Sequence, residues 1–159
     1  MAKRIDGKAV AAACQAKIAR GVTDWVAKGI TPDLAVILVG ENPASQVYVG
    51  RKTKMCEALG IRSWQHNLPA DTTQADLLAR IETLAADDQV HGILVQLPLP
   101  AHLDEEAVLL AIPPEKDVDA FHPRNVGAIM IGDYRFLPCP PAGIVKLIDS
   151  TGRDIQGTG

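Results

Sequence analysis

The sequence predicts an α/β domain in which a mostly parallel sheet lies between helices in three layers. Short apolar runs of strand length alternate with segments whose apolar residues recur every three or four positions. Prolines and glycines separate the two kinds of segment. Strands that alternate with helices lie parallel in one sheet, because each helix carries the chain back to the start of the next strand.

The first helix is predicted from about Asp6 to Gly29, and a buried strand follows at Leu34–Val39. The helix has apolar residues at steps of four, four, four and three, namely Val10, Cys14, Ile18, Val22 and Trp25. The strand is a continuous apolar run, as expected for a strand covered on both faces.

A second helix follows this strand closely. Asn42 is a good N-cap, Pro43 suits the first helical turn and Gly60 is a good C-terminal stop. The next strand is predicted at Ile61–Leu68, where Pro69 ends it.

A third helix opens at Thr73 with a pattern that resembles a capping box, and a third strand follows at Val90–Leu97. The inner face of the helix is predicted to consist of Leu77, Ile81 and Leu84. Pro98 ends the strand.

Two shorter helices are predicted further on, at Asp104–Ala111 and Pro141–Asp149. Residues 115–141 are rich in proline, glycine and aspartate, which predicts ordered loops with at most one helical turn. Residues 1–150 are expected to form one domain. The polar, glycine-rich residues 151–159 are expected to begin a connection to a second domain at a domain junction.

Composition argues against several classes of partner. The 159 residues are 47% hydrophobic, enough for a sizeable core, and the net charge is −3. Because no run of Lys or Arg exceeds two residues, nucleic acid and anionic membranes are poor partners. The longest apolar run, Leu34–Val39, is far short of the roughly 20 residues that span a bilayer. The N-terminus has no apolar signal-peptide core, so a cytoplasmic protein is expected.

Neither disulfides nor a metal site are expected. Cys14, Cys56 and Cys139 are far apart and include no Cys-x-x-Cys pair. The histidines, which are His66, His91, His102 and His122, show no ligand spacing.

Tyr48 and Lys52 lie four residues apart near the start of the second helix. At that spacing both side chains leave the same helix face, and Ser45 joins the same stripe. The helix starts beyond the carboxyl end of a strand, where open α/β sheets usually bind ligands. A hydroxyl, a phenol and an amine are therefore expected to point together into a ligand site.

Lys52 serves as a base only where its surroundings favour the neutral amine, and burial against Val47 and Met55 is the expected cause. Its stripe continues to Met55 and Leu59, which are expected to face the core. The alternative is a solvated lysine on an outer helix face.

Gln96 and two aspartates are further candidates. Gln96 ends an apolar strand, where its amide can hold a lysine or a ligand ring; the alternative is a glutamine that faces water. Asp117 and Asp119 share one loop, and carboxylates on such loops are usually just solvated. A metal bound by this pair is less favoured still, because no third hard ligand is near in sequence.

Several nucleotide and nucleophile motifs are absent from the sequence. There is no P-loop, no Ser-His-Asp arrangement and no complete G-x-G-x-x-G, of which Gly157-Thr158-Gly159 is only a fragment.

Four motifs in order resemble those of the bifunctional methylenetetrahydrofolate dehydrogenase/methenyltetrahydrofolate cyclohydrolase family. The resemblance covers nearly the whole chain, from Ile5 to Gly157. The motifs are Val39-Gly40-Glu41-Asn42-Pro43-Ala44-Ser45-Gln46-Val47-Tyr48-Val49 with Lys52, Val90-His91-Gly92-Ile93-Leu94-Val95-Gln96-Leu97-Pro98-Leu99-Pro100, Pro114-Glu115-Lys116-Asp117-Val118-Asp119 and Pro138-Cys139-Pro140-Pro141-Ala142-Gly143.

The resemblance implies an activity in one-carbon folate metabolism. Members oxidise 5,10-methylene-tetrahydrofolate to the 5,10-methenyl form with NADP or NAD, and then hydrolyse it to 10-formyl-tetrahydrofolate. Lys52 matches the catalytic lysine, Tyr48 the tyrosine that stacks on the folate, Gln96 the glutamine that bonds the lysine, and Asp119 the aspartate that anchors the pterin ring. The implied substrate-binding residues are Tyr48, Val49, Gly50, Arg51, Lys52, Val95, Gln96, Leu97, Pro98, Asp119 and Pro141.

The resemblance also implies that NADP binds to a Rossmann domain that should begin near Gly157, and that no residue of this chain binds it. The family's members are dimers, a state that is not assumed for this chain. The sequence departs from the family at Ala120, where glycine is usual, at Pro140, where threonine is usual, and at Thr158, where lysine is common. A non-catalytic folate-binding or dimerisation module remains the alternative.

Overall fold

A computed structural model describes residues 4–153. Within that range the elements are α1 (Gly7–Val26), β1 (Asp33–Val39), α2 (Pro43–Leu59), β2 (Arg62–Leu68), α3 (Gln74–Ala86), β3 (Gly92–Val95), α4 (Glu105–Ala111), α5 (Pro123–Ile131) and α6 (Cys139–Asp149). Most of the connection expected at residues 151–159, including Thr158, lies outside the described residues.

The three strands form one parallel sheet in the order β2-β1-β3, which confirms the predicted α/β fold. β1 is central and buried on both faces. On one face Ala35, Ile37 and Val39 pack in a cluster with Leu77 and Ile81 of α3. On the other face Val36 packs with Val49 of α2 and Leu94 of β3. The continuous apolar run of β1 follows from this burial between helices.

The predicted starts of α1, α2, α3 and α4 are confirmed by hydrogen bonds at the caps, whereas α1 ends at Val26, before the predicted Gly29, and α6 begins at Cys139, before the predicted Pro141. The side chains of Asp6, Asn42, Thr73 and Asp104 accept hydrogen bonds from backbone N–H groups in the first turns of α1, α2, α3 and α4. Gly60 ends α2 at a φ of +78°, where an L side chain would be strained.

The apolar stripe predicted on α1 is only partly buried. Val22 is buried, whereas Ile18 and Trp25 are exposed. Neither α1 nor any other helix in residues 4–153 combines the length and apolar character that crossing a membrane requires.

The prediction of loops over residues 115–141 is wrong, because α5 is a helix of 9 residues. The side chain of His122 caps it, Pro123 occupies its first turn and Gly132 ends it at a φ of +79°. These signals are the same kind as those that predicted α2. The short length of α5 and the surrounding glycines and prolines concealed it.

The third strand is shorter than predicted. It ends at Val95, not Leu97, although the N–H of Gln96 still donates to the carbonyl of Ile37 at 2.9 Å. Pro98 has no N–H to continue the ladder. Gln96 and Leu97 therefore lie just past the sheet edge.

Candidate active site

Lys52 and Gln96 are hydrogen-bonded to each other, as the sequence predicts. The Nζ of Lys52 donates to the Oε1 of Gln96 at 3.2 Å, joining α2 to the residue that follows β3. The Nε2 of Gln96 donates to the carbonyl of Leu97 at 2.7 Å, which fixes the orientation of the amide. The amide oxygen is therefore held towards the lysine.

The packing of α2 on the sheet places Lys52 beside Gln96. Ser45, Val49 and Cys56 are the buried residues of α2, and Lys52 lies three residues after Val49 on that side of the helix. Lys52 is therefore half-buried where the carboxyl ends of the strands meet.

The expectation that Val47 and Met55 enclose Lys52 is wrong, because both side chains are exposed. Met55 does not face the core, and Leu59 is half-buried. The face of α2 that packs on the core contains Val49 and Cys56, not Met55 as predicted.

Tyr48 and Ser45 separate in the structure. Ser45 is 2% exposed and lies against the sheet. The prediction that its hydroxyl points into an open ligand site is therefore wrong. Tyr48 is 58% exposed, one turn before Lys52. Its ring is accessible to a flat ligand that reaches Lys52.

Asp119 lies within electrostatic reach of Lys52. Burial raises the pKa of the Asp119 carboxyl, the Lys52 ammonium opposes the rise, and the charge of Asp117 adds to it. The structure thus brings Lys52, Gln96 and Asp119 together from α2, the end of β3 and the loop before α5.

Asp117 has a structural position, unlike Asp119. Its side chain is 3% exposed and accepts hydrogen bonds from the Nδ2 of Asn125 and the N–H of His122, both at 2.9 Å. Asp117 is therefore bonded within the fold, whereas Asp119 lies near Lys52. Asn125 was not among the predicted site residues. It lies on α5, a helix that the sequence analysis did not predict, so nothing drew attention to its amide.

The loop that carries Asp119 extends the sheet. The N–H of Ile93 donates to the carbonyl of Lys116 at 2.8 Å, beside β3. A Cβ at Gly92 would meet the Cγ1 of Val118 at 2.6 Å, so only glycine allows this approach. Gly92 was not predicted to matter, although a glycine inside a strand indicates close approach of another backbone.

Ala120 adopts a φ of +57° and is buried. This left-handed conformation costs an L residue about 1–2 kcal/mol. Glycine would adopt this conformation without that cost, which explains why glycine is usual at this position, whereas this chain has alanine.

The remaining predicted binding residues have different surroundings. The side chains of Val49 and Val95 are buried in the core, so a ligand could reach only their backbone. Gly50 and Leu97 are half-buried, and Arg51 and Pro98 are exposed, all next to the Lys52–Gln96 pair in sequence.

Pro141 lies on α6 and lines a separate groove of about 630 Å³ between α5 and α6. None of Lys52, Gln96 and Asp119 lines that groove. Pro140 is in the first turn of α6, where an N–H would have no helical acceptor, so its missing donor costs the helix nothing.

The turn from β1 to α2 does not fit the phosphates of a dinucleotide. The turn from β1 to α2 is Gly40-Glu41-Asn42, in which a carboxylate follows the glycine and Asn42 caps the N–H of Ser45 at 3.1 Å. The turn lacks the glycine spacing that lets a backbone approach a pyrophosphate.

Comparison with known proteins identifies the family. Residues 5–119 match the tetrahydrofolate dehydrogenase/cyclohydrolase catalytic domain. The chain belongs to this family. It is 52% identical over 157 residues to the bifunctional protein FolD of Geotalea uraniireducens, an alignment that covers 99% of this chain and 56% of that protein. It is 56% identical over 158 residues to FolD 1 of Rhizorhabdus wittichii, covering 99% and 54%.

Solved structures of the tetrahydrofolate dehydrogenase/cyclohydrolase family share the fold. The bifunctional FolD enzyme of Campylobacter jejuni superposes with a TM-score of 0.90 at 49% identity, over 93% of this chain and 53% of that one. The Trypanosoma brucei FolD structure, a complex with NADP and an inhibitor, has a TM-score of 0.89 at 38% identity, over 97% and 53%. The chain spans about half the length of the relatives that it matches.

Proposed function

We propose that this chain is the folate-binding catalytic domain of a methylenetetrahydrofolate dehydrogenase/methenyltetrahydrofolate cyclohydrolase, an enzyme of one-carbon metabolism. The hydrogen bond between Lys52 and Gln96 carries the proposal, because it places an oriented amine at the carboxyl edge of a parallel sheet. Family membership supports it.

In the hydrolytic step, the oxygen of a water attacks the amidinium carbon of 5,10-methenyl-tetrahydrofolate. The water oxygen loses both of its protons to become the formyl oxygen, and the bond from that carbon to N5 breaks. One proton ends on N5 and the other is released to solvent as neutral 10-formyl-tetrahydrofolate forms. Lys52 in its amine form accepts a proton of the attacking water, and its ammonium form returns a proton to N5. Gln96 accepts a hydrogen bond from Lys52 and so keeps the amine in place.

Two further side chains position the substrate. The exposed ring of Tyr48 stacks on the flat folate ring, and the carboxylate of Asp119 accepts hydrogen bonds from ring N–H groups. In this proposal the one-carbon bridge of the substrate lies beside the Lys52 amine, which Gln96 holds.

The oxidative step requires a hydride acceptor, and NADP supplies that chemistry in the family. We assign no NADP contact to residues 4–153. Residues 1–150 form the folate domain in this proposal, and residues 151–159 begin the connection to a nucleotide-binding domain in a protein of the relatives' length. From the resemblance to the family we infer that the full-length enzyme is cytoplasmic and dimeric, and we assume no dimer for this chain.

A turnover assay tests the proposal on the chain itself. Purified protein is mixed with 5,10-methenyl-tetrahydrofolate, and loss of its absorbance is followed against the uncatalysed rate. We expect turnover that falls at least 100-fold in Lys52→Ala, since general acid–base catalysis typically contributes about 10²–10⁴-fold. Lys54→Ala removes an exposed lysine from the same helix and is the matched control.

Calorimetry with a reduced folate separates catalysis from simple binding. Binding together with Lys52-dependent turnover supports the enzyme. Binding without turnover would favour the non-catalytic folate-binding module, and equal turnover by Lys52→Ala and the unchanged chain would remove Lys52 from the mechanism.

A further inference from the structure

The loop from Pro114 to His122 is held on several sides, and Asp119 lies within it. The Nζ of Lys116 donates to the carbonyls of Ala85 and Asp87 at the end of α3, both at 2.8 Å. The carbonyl of Lys116 accepts from Ile93 of β3, and Val118 packs over Gly92. These contacts fix the half of the loop that precedes Asp119.

The two ends of the loop are joined around the Asp117 carboxylate, to which both Asn125 and His122 donate. One Nδ2 group of Asn125 donates both to the carbonyl of Pro114 at 2.8 Å and to the Oδ2 of Asp117 at 2.9 Å. The N–H of His122 donates to the same Oδ2. Asn125 and Asp117 are both buried, so the bond between their side chains is shielded from water.

This geometry forces the chain through a tight path between two fixed residues. Asp117 and His122 are joined through one carboxylate oxygen, and the residues between them include Ala120, which adopts a φ of +57°. A strained residue persists only where its surroundings hold it in place. Loss of the bonds around Asp117 would allow Ala120 to relax and Asp119 to move.

We propose that Asn125 is a positioning residue for the folate site, which holds the buried Asp117 carboxylate so that the loop presents Asp119 to the ligand beside Lys52. The inference rests on the proposed function, in which Asp119 binds the folate ring. It assigns a binding role to a residue of α5 that does not itself contact the ligand.

Two variants separate the geometric effect of the bonds from the charge of Asp117. Asn125→Ala removes the amide and leaves the charge of Asp117. Asp117→Asn removes the charge, and its side-chain oxygen still accepts from Asn125 and His122. Gln74→Ala is the matched control, because it also removes an amide side chain that joins two parts of the chain. The Oε1 of Gln74 accepts from the backbone N–H of Asp104 at 2.8 Å, and neither residue belongs to the loop.

The affinity for 5-formyl-tetrahydrofolate, a stable reduced folate, is measured by calorimetry well below each melting temperature. We expect Asn125→Ala to weaken binding at least tenfold, and Asp117→Asn and Gln74→Ala to stay within about threefold, where tenfold equals about 1.4 kcal/mol. Unchanged affinity in Asn125→Ala, with weakened binding in Asp119→Asn, would overturn the proposal and leave the folate site standing.

Carboxyl NMR of Asp119 in the ligand-free protein gives a readout that needs no folate. The charged groups that act on Asp119 are Lys52 from α2 and Asp117 from its own loop. Because burial is the main cause of the raised pKa of Asp119, a loosened loop in Asn125→Ala should lower its titration midpoint, and Gln74→Ala should not. An unchanged midpoint in Asn125→Ala refutes the positioning role even if the chain binds no folate.

Discussion

Replacing Gly92 by alanine tests how closely the Asp119 loop is packed against β3. The added Cβ would lie 2.6 Å from the Cγ1 of Val118 and 3.3 Å from the Cδ1 of Leu34. The first distance is too short for two carbon atoms, and Val118 is a short side chain with no flexible end to move away. Val118 and the backbone that carries it must therefore shift.

The expected cost is the balance of two effects. Overpacking a well-packed site typically costs about 1–3 kcal/mol. Gly92 does not have a positive φ, so alanine fits the backbone and recovers about 0.4–1 kcal/mol by restricting the unfolded chain. The 2.6 Å contact places the overpacking in the upper part of its range, at about 2–3 kcal/mol, so the net loss is about 1–2.6 kcal/mol. Such a loss lowers the melting temperature by about 2–10 °C for a domain of this size.

Thermal melts of four proteins measure the effect: the unchanged chain, Gly92→Ala, Val118→Ala and the double variant. In the double variant the new Cβ meets only the Cβ of residue 118, at 3.9 Å, and Leu34, so the clash is largely relieved. We expect a favourable coupling of at least about 0.5 kcal/mol between the two changes. A melting temperature within 0.5 °C of the unchanged chain for Gly92→Ala (roughly 0.1–0.25 kcal/mol), or additive effects, would refute the packing argument.

Two further outcomes follow from the charges and the thiols. Burial raises the pKa of Asp119 in the folded state, against the Lys52 ammonium, so its ionised form disfavours folding as pH rises through the folded pKa. Asp119→Asn should therefore raise the melting temperature at pH 7, and the gain should shrink as pH falls towards 3.8, the ordinary pKa of an aspartate. A lower melting temperature at pH 7 would contradict this account. Burial, with the charge of Glu57, raises the pKa of the Cys56 thiol. A maleimide should therefore label the exposed Cys139 at least tenfold faster than Cys56. Mass spectrometry of digests measures the two labelling rates. Equal labelling rates would show that α2 does not protect its buried face.

Most of the fold was predictable because its signals are local. Asn42 and Gly60 bound α2, and the apolar run of β1 records burial on both faces. α5 was not predicted, although His122 and Gly132 bound it by the same kinds of signal. A helix of 9 residues in a loop-rich segment has too little periodicity to stand out against prolines and glycines.

The site was predictable only where spacing along one element decides geometry. Tyr48 and Lys52 follow from helical spacing, and Gln96 follows from its place at a strand end. The rotation of α2 about its axis depends on which residues the sheet buries, so Val49 and Cys56 faced the core instead of Met55. The bond from Asn125 to Asp117 joins a helix and a loop, and no local pattern encodes such a contact.

A crystal structure of the chain with 5-formyl-tetrahydrofolate tests the central claim most directly. The account predicts the folate ring against Tyr48, with its N–H groups bonded to Asp119 and its one-carbon group beside the Lys52–Gln96 pair. A folate bound instead in the cavity of about 680 Å³ lined by Gly40, Gln65 and Asn67, with Lys52 and Asp119 free of contacts, would contradict it.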